Sequence, residues 1–246
     1  MKKLLLISFV LFGLTTINAQ KLSKSDLLSL EKKIYKQSIQ NYDLETAKNS
    51  VYHIMAIEGE NSSYLDSLAY IYFNKKNFMS YISVADKILK KEEKLPILER
   101  KAIALENLGA TKEAIAIYEK VYAQKKDVQV AYKLASLQHQ LKRTAEAYST
   151  LKSAEKLKFP EKAFLAFPSS KKDQQQRVPF KAVYFNLLAM TAYDLHNYDV
   201  SLQYLEDALK VFPDFFVAKQ NKNAIAVMKQ KLEGNNKQQA PQKNNN

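Results

Sequence analysis

The chain has 246 residues, of which 46% are hydrophobic and 26% are charged, and this balance excludes a largely disordered protein and a mostly membrane-embedded one. Its formal net charge of +13 favours anionic partners or surfaces, and the lack of cysteine excludes disulfides, thiolate metal sites and cysteine nucleophiles. Four glycines and six prolines are few for this length, so the composition favours helices joined by short turns and predicts an all-α fold.

The first twenty residues, MKKLLLISFVLFGLTTINAQ, have the organisation of a secretory signal peptide. Lys2 and Lys3 precede an apolar run that ends at Leu14, and about eleven apolar residues are too few to span a bilayer. We expect residues 1–19 to be removed by cleavage after Ala19, with a retained N-terminal anchor as the alternative. This predicts an exported protein, periplasmic or else secreted, and argues against nucleic acid as a partner.

Small residues recur at a constant spacing along most of the remaining chain. The segments LETAKNSVYHI, FMSYISVADKI, TKEAIAIYEKV and TAEAYSTLKSA align with one another, and their fourth residues are separated by 34, 33 and 33 positions. These fourth residues are Ala47, Tyr81, Ala114 and Ala147. The residues twelve positions earlier, including those of a fifth copy at Ser201, are Tyr35, Ala69, Ala102, Ala135 and Ala189. A constant period of this length predicts stacked helix-turn-helix units.

The register of these residues resembles the tetratricopeptide repeat (TPR) family. In that family a small residue in the first helix is followed by a small residue that opens the second, a large apolar residue, another small residue and a proline. The unit that fits best contains Ala189, Ser201, Leu205, Ala208 and Pro213. The unit ENLGATKEAIAIYEKVY has Gly109 at the turn between its two helices. The resemblance implies an all-α, right-handed α-solenoid of stacked antiparallel helix pairs.

The resemblance also divides the chain into segments. They are TPR-like repeats at 20–157 with a degenerate first unit, a basic and aromatic insertion at 158–182, a repeat at 183–214, a capping helix at 215–233 and a disordered tail at 234–246. In the capping helix we expect Asp214 to cap the first turn and Val217, Ala224 and Met228 to form the apolar stripe. Gly234 is expected to end it.

The insertion is the least regular part of the predicted array. Between residues 156 and 181 it carries seven basic side chains against two acidic ones, interleaved with phenylalanines. Two interpretations stay open. It contacts a partner or an anionic envelope surface through Lys171, Lys172, Arg177 and Lys181. Alternatively, it forms a short helix over 160–167 that packs on the repeats and is followed by a solvated lysine loop.

The sequence contains no motif of an enzyme or of a metal site. A glycine-rich phosphate loop, G-x-S-x-G and H-E-x-x-H are all missing. His53, His139 and His196 fall in three different units, and we interpret them as surface or packing residues. We therefore expect no catalytic residue, no metal and no cofactor.

The family resemblance implies a concave groove lined by the first helix of each pair, where peptides or partner helices bind. The residues that this places in the groove are Asp66, Tyr70, Phe73, Asn74, Glu99, Ile103, Glu106, Asn107, Tyr132, Ser136, His139, Gln140, Asn186, Met190 and Tyr193. The lysine and asparagine set with which some TPR proteins hold a terminal carboxylate is not reproduced. The predicted lining suits stacking and amide hydrogen bonds with an extended or helical segment. Because three acids are present, a basic segment is the expectation. The alternative is that these are solvated helix residues.

The sequence thus favours a non-enzymatic protein–protein interaction scaffold in the bacterial cell envelope that binds a peptide or helix of a partner protein in this groove. Two other functions stay open. One is an adaptor to an anionic envelope surface through the insertion and the tail, and the other is a self-assembling structural protein. The sequence does not determine the oligomeric state.

Overall fold

The computed structural model describes residues 22–59 and 62–238, and within them eleven helices and one pair of strands. The chain divides into two compact units, Met1–Val84 and Ala85–Asn246. Within the described residues, no helix combines the length and the apolar character needed to cross a bilayer. The predicted signal peptide and the last part of the predicted tail, 239–246, lie outside the described residues.

The described part of the first unit contains three complete helices and the beginning of a fourth. They are α1 (Lys24–Gln40), α2 (Leu44–Glu58), α3 (Leu65–Asn74) and α4 (Phe78–Leu89), which continues into the second unit. Helix α1 starts with a capping box, in which the Ser23 side chain accepts from the Asp26 amide and the Asp26 carboxylate accepts from the Ser23 amide. Asp43 caps α2 by accepting from the amide of Thr46 at 3.1 Å. Hydrogen bonds from Thr46 lower the pKa of the Asp43 carboxyl.

The second unit contains the rest of α4 and the remaining elements. These are α5 (Leu95–Asn107), α6 (Thr111–Gln124), α7 (Val128–Gln140), α8 (Thr144–Ala154), β1 (Phe164–Pro168), β2 (Gln175–Pro179), α9 (Phe180–Asp194), α10 (Tyr198–Val211) and α11 (Phe216–Gln238). Consecutive helices pack as the pairs α5/α6, α7/α8 and α9/α10. The largest apolar core of this unit joins α7 to α11 and includes side chains of the two strands.

A residue in the left-handed conformation joins the two helices of each pair. These residues and their φ angles are Tyr42 (58°), Lys76 (55°), Gly109 (75°), Lys142 (61°) and His196 (60°). In each turn the amide of the following residue donates to the carbonyl five positions earlier, as Arg143 does to Gln138 at 2.9 Å. This is the Schellman arrangement that ends a helix. The prediction that Gly109 lies at a turn is therefore confirmed.

The small residues of the repeat register lie at the contacts between paired helices, as predicted. Ala47, Ala69, Ala102, Ala114, Ala135, Ala147, Ala189 and Ser201 are each at most 1% exposed. In the last repeat the Ser201 hydroxyl donates to the carbonyl of Ala189 at 2.8 Å, so the two small positions touch directly. Small side chains are needed there because the backbones of packed helices approach to about 8–10 Å. Tyr81 departs from the pattern but is fully buried and packs edge-on against Phe73.

The insertion forms a β-hairpin, so the predicted short helix over 160–167 was wrong. Strands β1 and β2 pair antiparallel, with Leu165 opposite Val178 and Ala166 opposite Arg177. Side chains alternate across the hairpin: Val178 is fully buried, whereas Phe164 is 43% exposed. The hairpin packs at the start of the C-terminal helix, where the ring of Phe167 meets that of Phe215, the residue before α11, edge-on at 5.2 Å.

The C-terminal helix differs from the prediction in its apolar face and its end. Its buried residues are Ala218 and Ile225, which follow the buried Phe215, rather than the predicted stripe of Val217, Ala224 and Met228. Val217 is half-buried, and the other two are exposed. Asp214 does not cap it but forms an ion pair with Lys219 at 3.4 Å. The helix continues through Gly234 to Gln238, so the predicted tail starts five residues too early.

Candidate functional site

The first helices α5, α7 and α9 of the second unit carry eleven of the fifteen predicted groove residues, and we call their common side the first-helix surface. Polar contacts join these helices in succession. Lys133 on α7 donates to Glu106 on α5 at 2.8 Å, and His139 on α7 lies 2.7 Å from Asp194 on α9. Asn221 on α11 donates to Asn186 on α9 at 3.0 Å. These contacts fix neighbouring first helices relative to one another.

Both predicted acids of this surface already have cationic partners. Glu106 accepts from Lys133 and, with its other oxygen, from the hydroxyl of Tyr118 at 3.0 Å. Burial, reinforced by the neighbouring Glu106 charge, raises the pKa of Tyr118. The carboxylate of Glu99 lies 3.7 Å from the ammonium of Lys125. The charges of these two acids are therefore matched within the chain, which weakens the reason to expect a basic partner segment there.

Two predicted lining residues make contacts with other helices of the same unit. Tyr132 packs edge-on against Phe180 with ring centroids 5.3 Å apart, and burial raises its pKa to about 12. Asn186 is 8% exposed, and its side-chain oxygen accepts from Asn221. Both side chains hold helices together, but Tyr132 stays partly accessible, and a role of either residue in lining a groove stays a prediction.

The uncharged predicted side chains of this surface that stay accessible are apolar, aromatic, hydroxyl-bearing or amide-bearing. Ile103, Ser136, Met190 and Tyr193 are half-buried, and Gln140 is exposed. Tyr193 is held by an edge-on contact with Tyr198 at 5.7 Å. Such groups provide van der Waals contact and neutral hydrogen bonds to a bound chain.

Asparagine closes two first helices in the same way. The side-chain nitrogen of Asn107 donates to the carbonyl of Ile103 at 2.8 Å. In the first unit Asn74 donates to Tyr70 at the same distance. These amides therefore support the helix ends, although both residues are exposed.

The remaining predicted residues of the first unit lie on α3. Asp66 is exposed in its first turn, and Tyr70 is 44% exposed. Phe73 is half-buried and packs edge-on against Phe78 and Tyr81, at 6.1 Å and 5.2 Å between ring centroids. On α3, Tyr70 thus offers the larger accessible aromatic surface.

Asp194 is a residue of the first-helix surface that the sequence reasoning missed. It occupies the position in the last repeat that Asn74, Asn107 and Gln140 occupy in the earlier ones. The repeat register therefore contained the signal for it. Its contact with His139 across 55 residues needed the tertiary structure.

The three histidines lie in three separate contacts, as the sequence reasoning expected. Nδ1 of His53 lies 2.8 Å from a Glu31 oxygen in the first unit, and His196 occupies a left-handed turn. In the part of the chain that the structure describes, no three or more His, Asp and Glu side chains are grouped so that they could hold a metal ion.

The four basic residues proposed for surface contact are spread along the hairpin. Lys171 and Lys172 lie exposed in the loop at its tip, and Arg177 stacks over Phe164 on its outer face at 4.8 Å. Lys181 lies at its base, over the rings of Phe159 and Phe185. A five-residue strand is about 17 Å long, so tip and base are separate sites. Binding of an anionic surface through these residues stays a prediction.

The fold is that of TPR proteins. YrrB, a TPR protein with an unusual peptide-binding site, superposes with a TM-score of 0.59 and 15% identity, over 77% of this chain and 88% of its own. MamA from Desulfovibrio magneticus RS-1 gives a TM-score of 0.58 and 15% identity, over 79% of this chain and 99% of its own. A second MamA structure has a TM-score of 0.57 and 12% identity, over 76% of this chain and 92% of its own. The sequence itself matches no family model and no curated protein.

Proposed function

We propose that this TPR-fold chain is a non-enzymatic protein–protein interaction scaffold whose first-helix surface binds a segment of another protein. The observation that carries the proposal is the succession of contacts Glu106–Lys133, His139–Asp194 and Asn186–Asn221. They hold the first helices in place while leaving Met190 and Tyr193 partly accessible. The similarity in fold to YrrB, a TPR protein with a peptide-binding site, supports the proposal.

The partner segment is proposed to be apolar and amide-rich rather than strongly charged. Glu99 and Glu106 have their charges matched by lysines on the same unit, at 3.7 Å and 2.8 Å. The groups proposed to contact the partner are the apolar side chains of Ile103 and Met190 and the ring of Tyr193. The side-chain amide of Gln140 can donate and accept hydrogen bonds. A fixed surface of this kind loses little conformational entropy on binding, which favours affinity.

We also propose that the protein acts outside the cytoplasm, in the periplasm of a Gram-negative-type envelope. The proposal rests on the basic, apolar and small-residue order of the first twenty residues. Amino-terminal sequencing of the protein recovered from an osmotic-shock fraction tests it. A mature chain that starts at Gln20 is the expected result, and a full-length chain confined to the cytoplasm would contradict it.

Site-specific photocrosslinking tests the binding surface. A benzoylphenylalanine residue replaces Tyr193, on the first helix α9, and in a separate variant Tyr148, on the second helix α8. Both tyrosines are half-buried, so the two variants perturb the fold to a similar degree. We expect partner chains to be captured from Tyr193 and not from Tyr148, and capture to fall when Met190→Glu is added.

Equal capture from the two positions, or capture from Tyr148 alone, would show that the partner does not bind the first-helix surface. Capture of the protein's own chain by Tyr193 would favour self-assembly. The mass of the crosslinked product distinguishes that outcome from binding of a different protein.

A further inference from the structure

Lysines in the second unit are commonly matched by carboxylates, but those around the base of the hairpin are not. Lys101 pairs with Asp86 at 2.6 Å, and Lys210 pairs with Asp207 at 2.9 Å. Lys126 and Lys181 instead lie over aromatic rings: Lys126 over Tyr122 at 4.3 Å, and Lys181 over Phe159 at 5.6 Å. A lysine held over a ring keeps an uncompensated positive charge at a defined place.

Lys126 and Phe159 both line an open cleft of about 590 Å³ between two segments of the chain. One wall is the connection from α6 to α7, residues 126–129, and the other is the segment 157–162 that precedes the hairpin. The cleft has the volume of a typical ligand pocket. We call it the basic cleft.

The apolar part of the basic cleft is fixed by the core beneath it. Phe159, which lines it, meets the ring of the fully buried Tyr184 edge-on at 5.0 Å. Leu157 and the buried Val128 complete the apolar lining. A bound side chain would therefore meet a rigid aromatic surface.

The charges of the basic cleft are unbalanced towards positive. Its lining includes Lys126, Lys158 and Lys162, and within the described residues none of the three has a carboxylate at ion-pair distance. Of its two acids, Asp127 accepts from the amides of residues 129 and 130 at the start of α7 and lies 3.8 Å from Lys125. The helix terminus is thus already capped, and Glu161 is the other acid of the lining.

We propose that the basic cleft docks an acidic segment of a partner polypeptide, with its carboxylates against Lys126, Lys158 and Lys162 and an apolar side chain on Phe159. Charge complementarity supports this occupant, and the net charge of +13 disfavours a second copy of the same chain. The concave form favours a chain segment over a flat lipid surface. This site lies on residues other than those of the first-helix surface and adds a second point of contact.

Fluorescence anisotropy with a short synthetic peptide tests the proposal. The probe alternates glutamate with leucine, and the reference peptide has glutamine in place of each glutamate. We expect the glutamate peptide to bind, the glutamine peptide not to bind, and the affinity to fall as the salt concentration rises.

The double variant Lys158→Gln/Lys162→Gln is expected to weaken binding about tenfold, since exposed ion pairs contribute modestly. The matched control is Lys112→Gln/Lys120→Gln. These lysines are exposed on α6 and outside the cleft lining, so the control makes the same change in net charge. It is expected to leave the affinity within about twofold. Both pairs are exposed, so neither variant threatens folding.

Absence of glutamate-peptide binding, equal binding of the glutamine peptide, or an equal loss in the control would overturn the proposal. Vesicles of phosphatidylcholine with and without phosphatidylglycerol form a further arm. Binding of the anionic vesicles alone, abolished by Lys158→Gln/Lys162→Gln, would assign the cleft to a membrane instead. Capture through Tyr193 does not depend on these lysines, so failure of this proposal leaves the first-helix surface to its own test.

Discussion

Exchanging residue types between two equivalent turns is expected to change stability in opposite directions. Lys142 and Gly109 occupy the same place in successive repeats, with φ angles of 61° and 75°. Their amides make the same hydrogen bond, from Lys142 to His139 at 2.9 Å and from Gly109 to Glu106 at 3.1 Å. The turns therefore differ mainly in whether a Cβ is present.

The magnitude follows from the backbone geometry. The left-handed conformation costs a residue with a Cβ about 1–2 kcal/mol of conformational free energy. Glycine instead pays about 0.5–1 kcal/mol more in backbone entropy when the protein folds. Lys142→Gly should therefore raise the free energy of unfolding by roughly 0.5–1 kcal/mol. At Gly109 a Cβ would meet no atom within 4 Å, so Gly109→Ala adds no clash. It should lower the free energy of unfolding by roughly the same amount.

Equilibrium urea unfolding followed by circular dichroism measures both changes. Lys120→Gly is the matched control, because Lys120 is an exposed lysine inside α6 with ordinary helical geometry. Lys120→Gly should lower the free energy of unfolding by about 1 kcal/mol. If Lys142→Gly destabilises the protein as much as Lys120→Gly does, the left-handed strain assigned to these turns is wrong.

Two further predictions concern the repeat contacts and the buried tyrosines. Ala114→Leu, at a fully buried helix contact, should lower the free energy of unfolding by about 1–3 kcal/mol. Its control, Ala116→Leu on the exposed side of α6, should change the free energy of unfolding by less than about 0.5 kcal/mol. Equal effects of the two variants in urea unfolding would contradict the assignment of Ala114 to a helix contact. Because burial raises the pKa of Tyr132 to about 12, above the ordinary pKa of about 10, its stabilising effect is complete below pH 10. That effect should be lost as the pH rises towards 12. The Tyr132→Phe variant should show a less steep fall of stability with pH, and its absorbance titration should lack one late-titrating tyrosine. An unchanged titration would refute the burial of the Tyr132 hydroxyl.

The repeat architecture could be predicted from the sequence because it depends on short-range spacing. Ala102 and Ala114 are twelve residues apart in one hairpin, and both are fully buried where its helices meet. The same register would also have located the turns at Lys76, Lys142 and His196, but their side chains do not resemble glycine. Only the backbone showed that they share its conformation.

The groove was predicted only in part. The register placed Met190 and Tyr193 on first helices, where they are partly accessible. It gave the same role to Tyr132, which is also partly accessible but packs against Phe180, and to Asn186, which is buried against Asn221. These partners are 48 and 35 residues away, respectively, so no local pattern distinguishes a lining side chain from one that packs inward.

The amino-acid sequence by itself determined the helix pairs and their small contact residues, because both follow from local periodicity. The tertiary structure decided the hairpin, where Leu165 meets Val178 and Phe167 packs on Phe215. It also decided which face of α11 is buried. Strand pairing and the rotation of a terminal helix depend on contacts between distant residues, and their energies are set by the surfaces that the rest of the fold presents.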